Sequence, residues 1–181
     1  MKPATLKQLQ KNFDKRDSYI YLAGPFFNKI QRNHAQGLAE ILKGRGYHIY
    51  APVSEQFVEQ ALPESALRIF ERNIRWMEES SLILAQLDYP LDPPNVLSIL
   101  NLEKQQHSPI SLPDAGTVFE MGFAYAMSIP IIGYFFEPVL KANLMLTESM
   151  IGYIDECPLD IFLKDGIMWP LIIPEWKGKK T

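Results

Sequence analysis

The chain has 181 residues, of which 47% are hydrophobic and 22% charged. These proportions are typical of a globular domain and exclude a disordered protein. The net charge of −3 argues against a dedicated nucleic-acid binder, which normally carries a basic face. One cysteine excludes an intrachain disulfide framework, and no apolar run reaches the roughly 18 residues of a membrane span. We therefore expect a cytoplasmic protein with no nucleic-acid or membrane partner.

Strand patterns alternate along the chain with helical patterns. A polar lead over residues 1–17 precedes a single predicted domain over residues 18–181. Strands are predicted at 19–23, 47–51, 81–87, 129–136 and 150–154, and helices at 28–43, 63–79 and 114–127. This alternation predicts a flavodoxin- or Rossmann-like α/β fold, a doubly wound parallel sheet of about five strands with helices on both faces.

Helical spacing also predicts the buried faces of the first two helices. The apolar face of the first helix comprises Ala35, Leu38, Ala39 and Leu42. The apolar face of the second helix comprises Leu67, Phe70, Ile74 and Met77. Both sets recur with the period of an α-helix, so we expect each helix to pack on the sheet through these residues.

Ligands of parallel sheets bind at the carboxyl ends of the strands. That rule points to segments 24–27 and 53–56 and to the turn before residue 120. The segment 89–113 is long and rich in proline, and it leads directly into the third helix. A loop of this length is usually functional or disordered, so we expect either a lid over the site or a disordered insert.

The segment from Asp114 to Glu120 contains the strongest candidate for chemistry. Asp114 suits a helix N-cap, and Gly116 and Thr117 lie one turn before Glu120 on the same face. Glycine costs a helix about 1 kcal/mol relative to alanine, which makes sense if something approaches the backbone closely. A carboxylate among apolar neighbours needs a partner or a ligand, so a structural ion pair and a catalytic role are equally open for Glu120. For Asp114, a capping role alone is favoured.

Other common reactive motifs do not compete with this segment. The three histidines are isolated, and no cysteine–histidine spacing suits a metal. Glycine-rich nucleotide loops and the serine nucleophile elbow are also missing from the sequence. We expect no cofactor and no metal.

Four separated segments resemble those of the nucleoside 2-deoxyribosyltransferases. Segment 20–27 (IYLAGPFF) is similar to the first strand and loop of that family, and 52–56 (PVSEQ) to its base-contacting loop. Segment 114–122 is similar to its nucleophile helix, and 143–145 (NLM) to a segment that a neighbouring subunit contributes. The resemblance spans about residues 19–150, and its order and spacing are more specific than any one segment.

The resemblance implies exchange of nucleobases on 2-deoxyribose through a covalent intermediate. Glu120 would be the nucleophile, ionised at the working pH, with Tyr21 holding it by a hydrogen bond and Asp114 a candidate proton donor or sugar ligand. The substrates would be a deoxynucleoside and a free nucleobase. We expect the substrate-binding residues to be Gly24, Phe26, Phe27, Gln56, Asn73, Gly116, Asn143 and Met145. The last two would complete the site of a neighbour, so a homo-oligomer is expected.

Two departures from the family pattern qualify this interpretation. Asn73 stands where many members have a second aspartate, and an amide cannot give a proton to the leaving base as a carboxylic acid can. The chain ends at Thr181 without the C-terminal tyrosine that some members carry.

Two other functions stay open. A nucleoside 5′-monophosphate N-glycosidase would need a phosphate pocket near the first loop, where this chain has the bulky Phe26 and Phe27. A non-catalytic nucleotide-sensing module would keep the pocket but would not need Glu120.

Overall fold

The computed structural model describes residues 18–52, 65–88, 113–135 and 144–154. Within these ranges the elements in chain order are β1 (Tyr19–Ala23), α1 (Lys29–Gly44), β2 (His48–Tyr50), α2 (Ser65–Glu79), β3 (Ser80–Gln86), α3 (Ala115–Ala126), β4 (Ile131–Tyr134), α4 (Leu144–Ser149) and β5 (Gly152–Ile154). The 1–17 lead, Gln56, Asn143 and nearly all of segment 89–113 lie outside the described residues. Predictions about them, including the domain boundary at residue 18, stay predictions. No helix in the described part is long and apolar enough to cross a membrane.

The strands form one sheet in the order β2-β1-β3-β4-β5. Every pairing in it is parallel. This is the strand order of flavodoxin-like folds, in which the chain reverses direction across the sheet between β1 and β3. The predicted five-stranded parallel α/β fold is therefore confirmed.

Helices cover both faces of the sheet, which is also as predicted. On one face, α1 packs through Ala35, Leu38, Ala39 and Leu42, so the predicted face of the first helix is confirmed. The opposite face is covered by α2, α3 and α4, whose buried residues there are Met77, Met121, Ala124 and Leu146. Side chains alternate along β1 and β3 between these two layers, as the pleat of a strand requires.

The predicted face of α2 is wrong over its N-terminal half. Met77 is buried, but Leu67 is 63% exposed and Phe70 49% exposed. Because α2 runs antiparallel to β3, its first turns lie toward the carboxyl edge of the sheet, away from the packing around Met77. There the ring of Phe70 lies 5.9 Å from the ring of Phe119 on α3.

The element boundaries also differ from the predictions in places. β4 begins only after Pro130, as expected for a residue that cannot donate to the ladder, and it ends at Tyr134. The helix α4 was not predicted from the sequence. It has only six residues, too few for a periodic apolar pattern to stand out.

Candidate active site

A cleft of about 200 Å³ opens at the carboxyl ends of β1 and β3. Ligand sites of doubly wound sheets lie at this reversal of strand order. The residues that line it come from the loop after β1, from α2, and from the first turns of α3: Gly24, Phe26, Phe27, Asn73, Asp114, Gly116, Thr117 and Glu120. Seven of the predicted site residues therefore share one cleft, although they are up to 96 positions apart in the sequence.

A hydrogen bond from Tyr21 to Glu120 lies at the base of this cleft. The phenolic O–H donates to Oε1 of Glu120 over 2.5 Å, which is short even for a bond to a carboxylate. Tyr21 is fully buried in β1. β1 is hydrogen-bonded to a strand on each side, so the backbone that carries this tyrosine is held firmly in place. The predicted contact between these two residues is confirmed.

The apolar character of α3 explains why Glu120 is held inside. Glu120 is the only charged residue of this helix. Thr117, Met121 and Ala124 form the buried stripe of α3, and Glu120 follows Thr117 by three positions and precedes Ala124 by four. It therefore lies on the stripe that faces the protein. Its partner is a tyrosine rather than the arginine that a structural ion pair would need.

Burial raises the pKa of Glu120 to about 8. The hydrogen bond from Tyr21 opposes this shift, and the nearby negative charge of Asp114 adds to it. Burial and the adjacent Glu120 also raise the pKa of Tyr21 well above its usual value, so this hydroxyl keeps its proton. At pH 7 this raised pKa favours the protonated form of Glu120 in the free protein. A carboxylate at Glu120 is therefore favoured only at mildly alkaline pH or by a cationic partner.

Asp114 caps α3, as the sequence predicted. Its Oδ2 accepts hydrogen bonds from the backbone N–H groups of Gly116, at 2.8 Å, and Thr117, at 3.2 Å. A Cβ at position 116 would lie 2.8 Å from that same oxygen. A larger residue at position 116 would therefore force the carboxylate of Asp114 to move and disturb the helix cap.

The loop that carries the two phenylalanines is held by the start of α1. Oε1 of Gln31 accepts from the backbone N–H of Phe27, at 2.8 Å, and of Asn28, at 3.1 Å. In turn, Oδ1 of Asn28 accepts a hydrogen bond from the backbone N–H of Gln31, which completes a capping box. Arg32 donates to the carbonyl oxygens of Phe26 and Phe27. The loop geometry is therefore set by side chains of the following helix.

The two phenylalanines differ in their surroundings. Phe26 is half-buried against the core on the α1 face, whereas Phe27 is 65% exposed. Both rings line the cleft. Phe27 thus exposes an aromatic surface at the entrance of the cleft, whereas the ring of Phe26 contacts both the cleft and the core.

Two polar atoms at the cleft are buried without a hydrogen-bond partner in the described part of the chain. They are Oδ1 of Asn73 and Oγ1 of Thr117. Buried polar groups are almost always paired in native proteins, so such exceptions call for an explanation. Both residues line the cleft, so a bound molecule is a candidate partner for each atom.

The remaining predicted residues are placed differently. Met145 lies on α4 with 78% of its surface exposed and is not part of the cleft lining. Gln56 and Asn143 lie outside the described residues. Thr117 and Gln31 were not predicted as site residues. The spacing Asn28-x-x-Gln31 is a capping-box signature that the sequence does display, whereas nothing in the sequence singles out the hydroxyl of Thr117.

The fold and the hydrogen-bonded Tyr21–Glu120 pair define an α/β protein with a carboxyl group at its ligand-binding edge. A sequence model described as nucleoside 2-deoxyribosyltransferase matches residues 20–145, which is more than half of the chain. The protein belongs to this family, whose members are glycosyl-transferring enzymes that act on nucleosides and nucleobases. Among curated protein sequences, none is significantly similar to it.

Several solved structures are similar to this chain, and the first of those below has the same fold. A 2-deoxyribosyltransferase from Bacillus psychrosaccharolyticus superimposes with a TM-score of 0.61 at 23% identity, covering 82% of this chain and 93% of its own. A 2-desoxiribosyltransferase from Leishmania mexicana has a TM-score of 0.48 at 22% identity, with coverages of 71% and 85%. A CMP N-glycosidase, BcmB, from Clostridium botulinum has a TM-score of 0.47 at 18% identity, with coverages of 79% and 95%.

Proposed function

We propose that this enzyme transfers 2-deoxyribose from one nucleobase to another through a covalent deoxyribosyl–Glu120 intermediate. The observation that carries the proposal is the hydrogen bond from Tyr21 to Glu120 inside the cleft. It holds one carboxyl oxygen in place, and the other can face a sugar. Membership of the nucleoside 2-deoxyribosyltransferase family supports the choice of substrate.

In the first half-reaction, an ionised Oε of Glu120 attacks C1′ of the deoxynucleoside. The C1′–N bond breaks, the departing base takes the bonding electrons, and an ester joins Glu120 to C1′. The transition state carries positive charge on the sugar, which a nearby carboxylate stabilises. Glu120 must lose its proton before it attacks, so activity should rise with pH as its raised pKa is passed.

The departing base needs a proton, and Asp114 is the candidate to supply or relay it. Oδ2 of Asp114 already accepts two backbone hydrogen bonds, so Oδ1 is the oxygen that we assign to this transfer. Asn73 binds the base instead, because its free Oδ1 accepts a hydrogen bond from an exocyclic amine or ring N–H. The exposed ring of Phe27 offers a stacking surface to the same base.

In the second half-reaction, a ring nitrogen of the acceptor base attacks C1′ and the ester C–O bond breaks. The carboxylate of Glu120 is restored, and the nitrogen loses its proton to Asp114, which gave one up in the first half-reaction. Two inversions at C1′ return the original configuration. Water competes with the acceptor base for the ester, so exclusion of water favours transfer over hydrolysis.

Charges in the cleft favour a neutral nucleoside over a nucleoside 5′-monophosphate. The described residues that line it include the carboxyl groups of Asp114 and Glu120 and no lysine or arginine. A dianionic phosphate needs cationic or backbone N–H donors, and none of these described side chains supplies a positive charge. This argues against the N-glycosidase as the main activity.

We further propose that the enzyme is a homo-oligomer in which Asn143 and Met145 complete the site of a neighbour. Met145 is exposed and lies away from the cleft of its own chain, as such a role requires. Mixing two inactive variants, Glu120→Gln and Asn143→Ala, tests this directly. Restored exchange in the mixture supports a shared site, whereas two variants that stay inactive together contradict it.

The central experiment compares wild type with Glu120→Gln and Glu120→Ala. The protein is incubated with a deoxynucleoside, with and without a different free base, and the products are separated by chromatography. We expect a new nucleoside only when the acceptor is present, and none from either variant. An exposed glutamate on α2, Glu78, provides the control: Glu78→Gln should exchange at the wild-type rate.

Mass spectrometry of the quenched wild-type reaction tests the covalent step. A peptide that contains Glu120 should gain the mass of one deoxyribosyl group. Normal exchange by Glu120→Gln would refute the proposal. Free base released from a nucleoside monophosphate, with no exchange in any mixture, would assign the protein to the glycosidases instead.

A further inference from the structure

Thr117 carries a hydroxyl group that the folded chain does not use. The residue is 1% exposed and lines the cleft, yet its Oγ1 has no hydrogen-bond partner among the described residues. The hydroxyl of a helical threonine can donate to the carbonyl oxygen four positions earlier, but Oγ1 of Thr117 makes no such bond. The hydrogen bond to Asp114 comes from the backbone N–H of Thr117, not from its hydroxyl. Leaving a buried hydroxyl unpaired is unfavourable, so we expect a ligand to satisfy it.

We propose that Oγ1 of Thr117 hydrogen-bonds the 3′-hydroxyl of the pentose and thereby selects sugars that carry this group. The inference rests on the proposed function, because it takes Glu120 to be the nucleophile at C1′. It adds a specificity-determining residue on the face of the cleft that holds the nucleophile.

Sugar stereochemistry identifies the hydroxyl. In a β-nucleoside, the base and the 5′-carbon project from one face of the furanose, and the 3′-hydroxyl projects from the other. A nucleophile that displaces the base must approach C1′ from the face opposite to it. Glu120 and the 3′-hydroxyl therefore lie on the same side of the sugar. In a 2′-deoxy sugar, the 3′-hydroxyl is the only polar substituent on that side.

Helix geometry brings Thr117 to the same side. It precedes Glu120 by three residues on one helix face, a rise of about 4.5 Å, which is of the same order as the distance from C1′ to the 3′-oxygen of the sugar. A sugar with C1′ over Glu120 can thus place C3′ near Thr117. The other two polar groups are less suitable, because Asp114 uses Oδ2 for the helix cap and Asn73 reaches the cleft from α2.

The test compares Thr117→Val, which keeps the shape without the hydroxyl, with Thr117→Ser, which keeps the hydroxyl. Exchange is measured with a 2′-deoxynucleoside and with its 2′,3′-dideoxy analogue. We expect Thr117→Val to lower kcat/KM about tenfold for the 2′-deoxynucleoside and to change it less than about twofold for the analogue. Thr117→Ser should stay near wild type. Equal losses on both sugars, or no loss on either, would overturn the proposal.

Thermal unfolding separates a substrate contact from a structural role. Because the hydroxyl is unpaired in the free protein, Thr117→Val should have a Tm equal to or above that of wild type. A clear fall in Tm would show that the hydroxyl has a structural partner, which contradicts the inference.

A binding experiment distinguishes failure of this inference from failure of the proposed reaction. Calorimetry on Glu120→Gln, with and without Thr117→Val, compares the two nucleosides without turnover. If wild type catalyses no exchange but the preference for the 3′-hydroxyl disappears with Thr117→Val, the reaction is refuted and the contact stands. If exchange occurs but the preference is unaffected, only the contact is refuted. Absence of exchange by wild type together with no binding of either nucleoside refutes both.

Discussion

Removing the Tyr21 hydroxyl tests how the protein controls the charge of Glu120. The hydrogen bond from Tyr21 lowers the pKa of Glu120, against the larger effect of burial, and leaves it at about 8. A hydrogen bond to a charged acceptor contributes about 1.5–3 kcal/mol, which equals about one to two pKa units. In Tyr21→Phe, we therefore expect the pKa of Glu120 to rise to about 9–10.

The assay is the dependence of kcat/KM on pH for base exchange, which reports the ionisations of the free enzyme. Wild type should gain activity with a midpoint near pH 8, set by Glu120. Tyr21→Phe should have its midpoint about one to two units higher and lose about tenfold to a hundredfold at pH 7. The midpoint cannot belong to Tyr21 itself, whose pKa is raised well above 10.

A second buried tyrosine provides the matched control. Tyr134 on β4 donates to Oε1 of Gln86, on the sheet face opposite to Glu120. Tyr134→Phe also removes a buried phenolic hydroxyl, but it should leave the midpoint where it is in wild type. The reasoning fails if Tyr21→Phe leaves the midpoint unmoved or lowers it, or if Tyr134→Phe shifts it equally.

Three further predictions follow from the same contacts. The pKa of Glu120 rises from 4.5 in the unfolded chain to about 8 in the folded protein, so its contribution to the free energy of unfolding should be fully present below pH 4.5 and fall by at most about 5 kcal/mol as pH rises through 8. Urea unfolding at several pH values should show this fall in wild type and its loss in Glu120→Gln. Asp114→Asn removes the charge that raises this pKa while asparagine still caps the helix, so the activity midpoint should move below 8 with little change in Tm; a midpoint that rises would contradict this. Gln31→Leu leaves the N–H groups of Phe27 and Asn28 unpaired and should cost about 1–3 kcal/mol in urea unfolding, with KM raised more than kcat is lowered. The exposed Gln36→Leu on α1 should affect neither.

The sequence determined the fold class and the identity of the key residues. The spacing of hydrophobic residues is a local property of the sequence. It indicates both the type of element and the residues that the element buries. The buried face of α1 could therefore be predicted residue by residue. The helix cap by Asp114 could also be predicted, because a cap depends on a few consecutive residues.

Other features depended on packing that no local pattern encodes. Phe70 has the helical spacing of a core residue, yet it is half exposed, because burial depends on what lies beneath each turn of α2. Gly116 was expected to admit a close approach, but only the structure showed that the approaching group is the carboxylate of Asp114.

Glu120 shows most clearly which properties of a residue can be predicted from the sequence and which depend on the tertiary structure. The sequence alone placed a carboxylate on an apolar helix and left an ion pair and a catalytic role equally open. The structure brings Tyr21, 99 positions away, to within hydrogen-bond distance and partly buries Glu120, so that desolvation raises its pKa to about 8. Desolvation is a property of the whole surrounding fold, summed over residues from α2, α3 and β1. The residue could thus be found in the sequence, but its protonation state was decided by the tertiary structure.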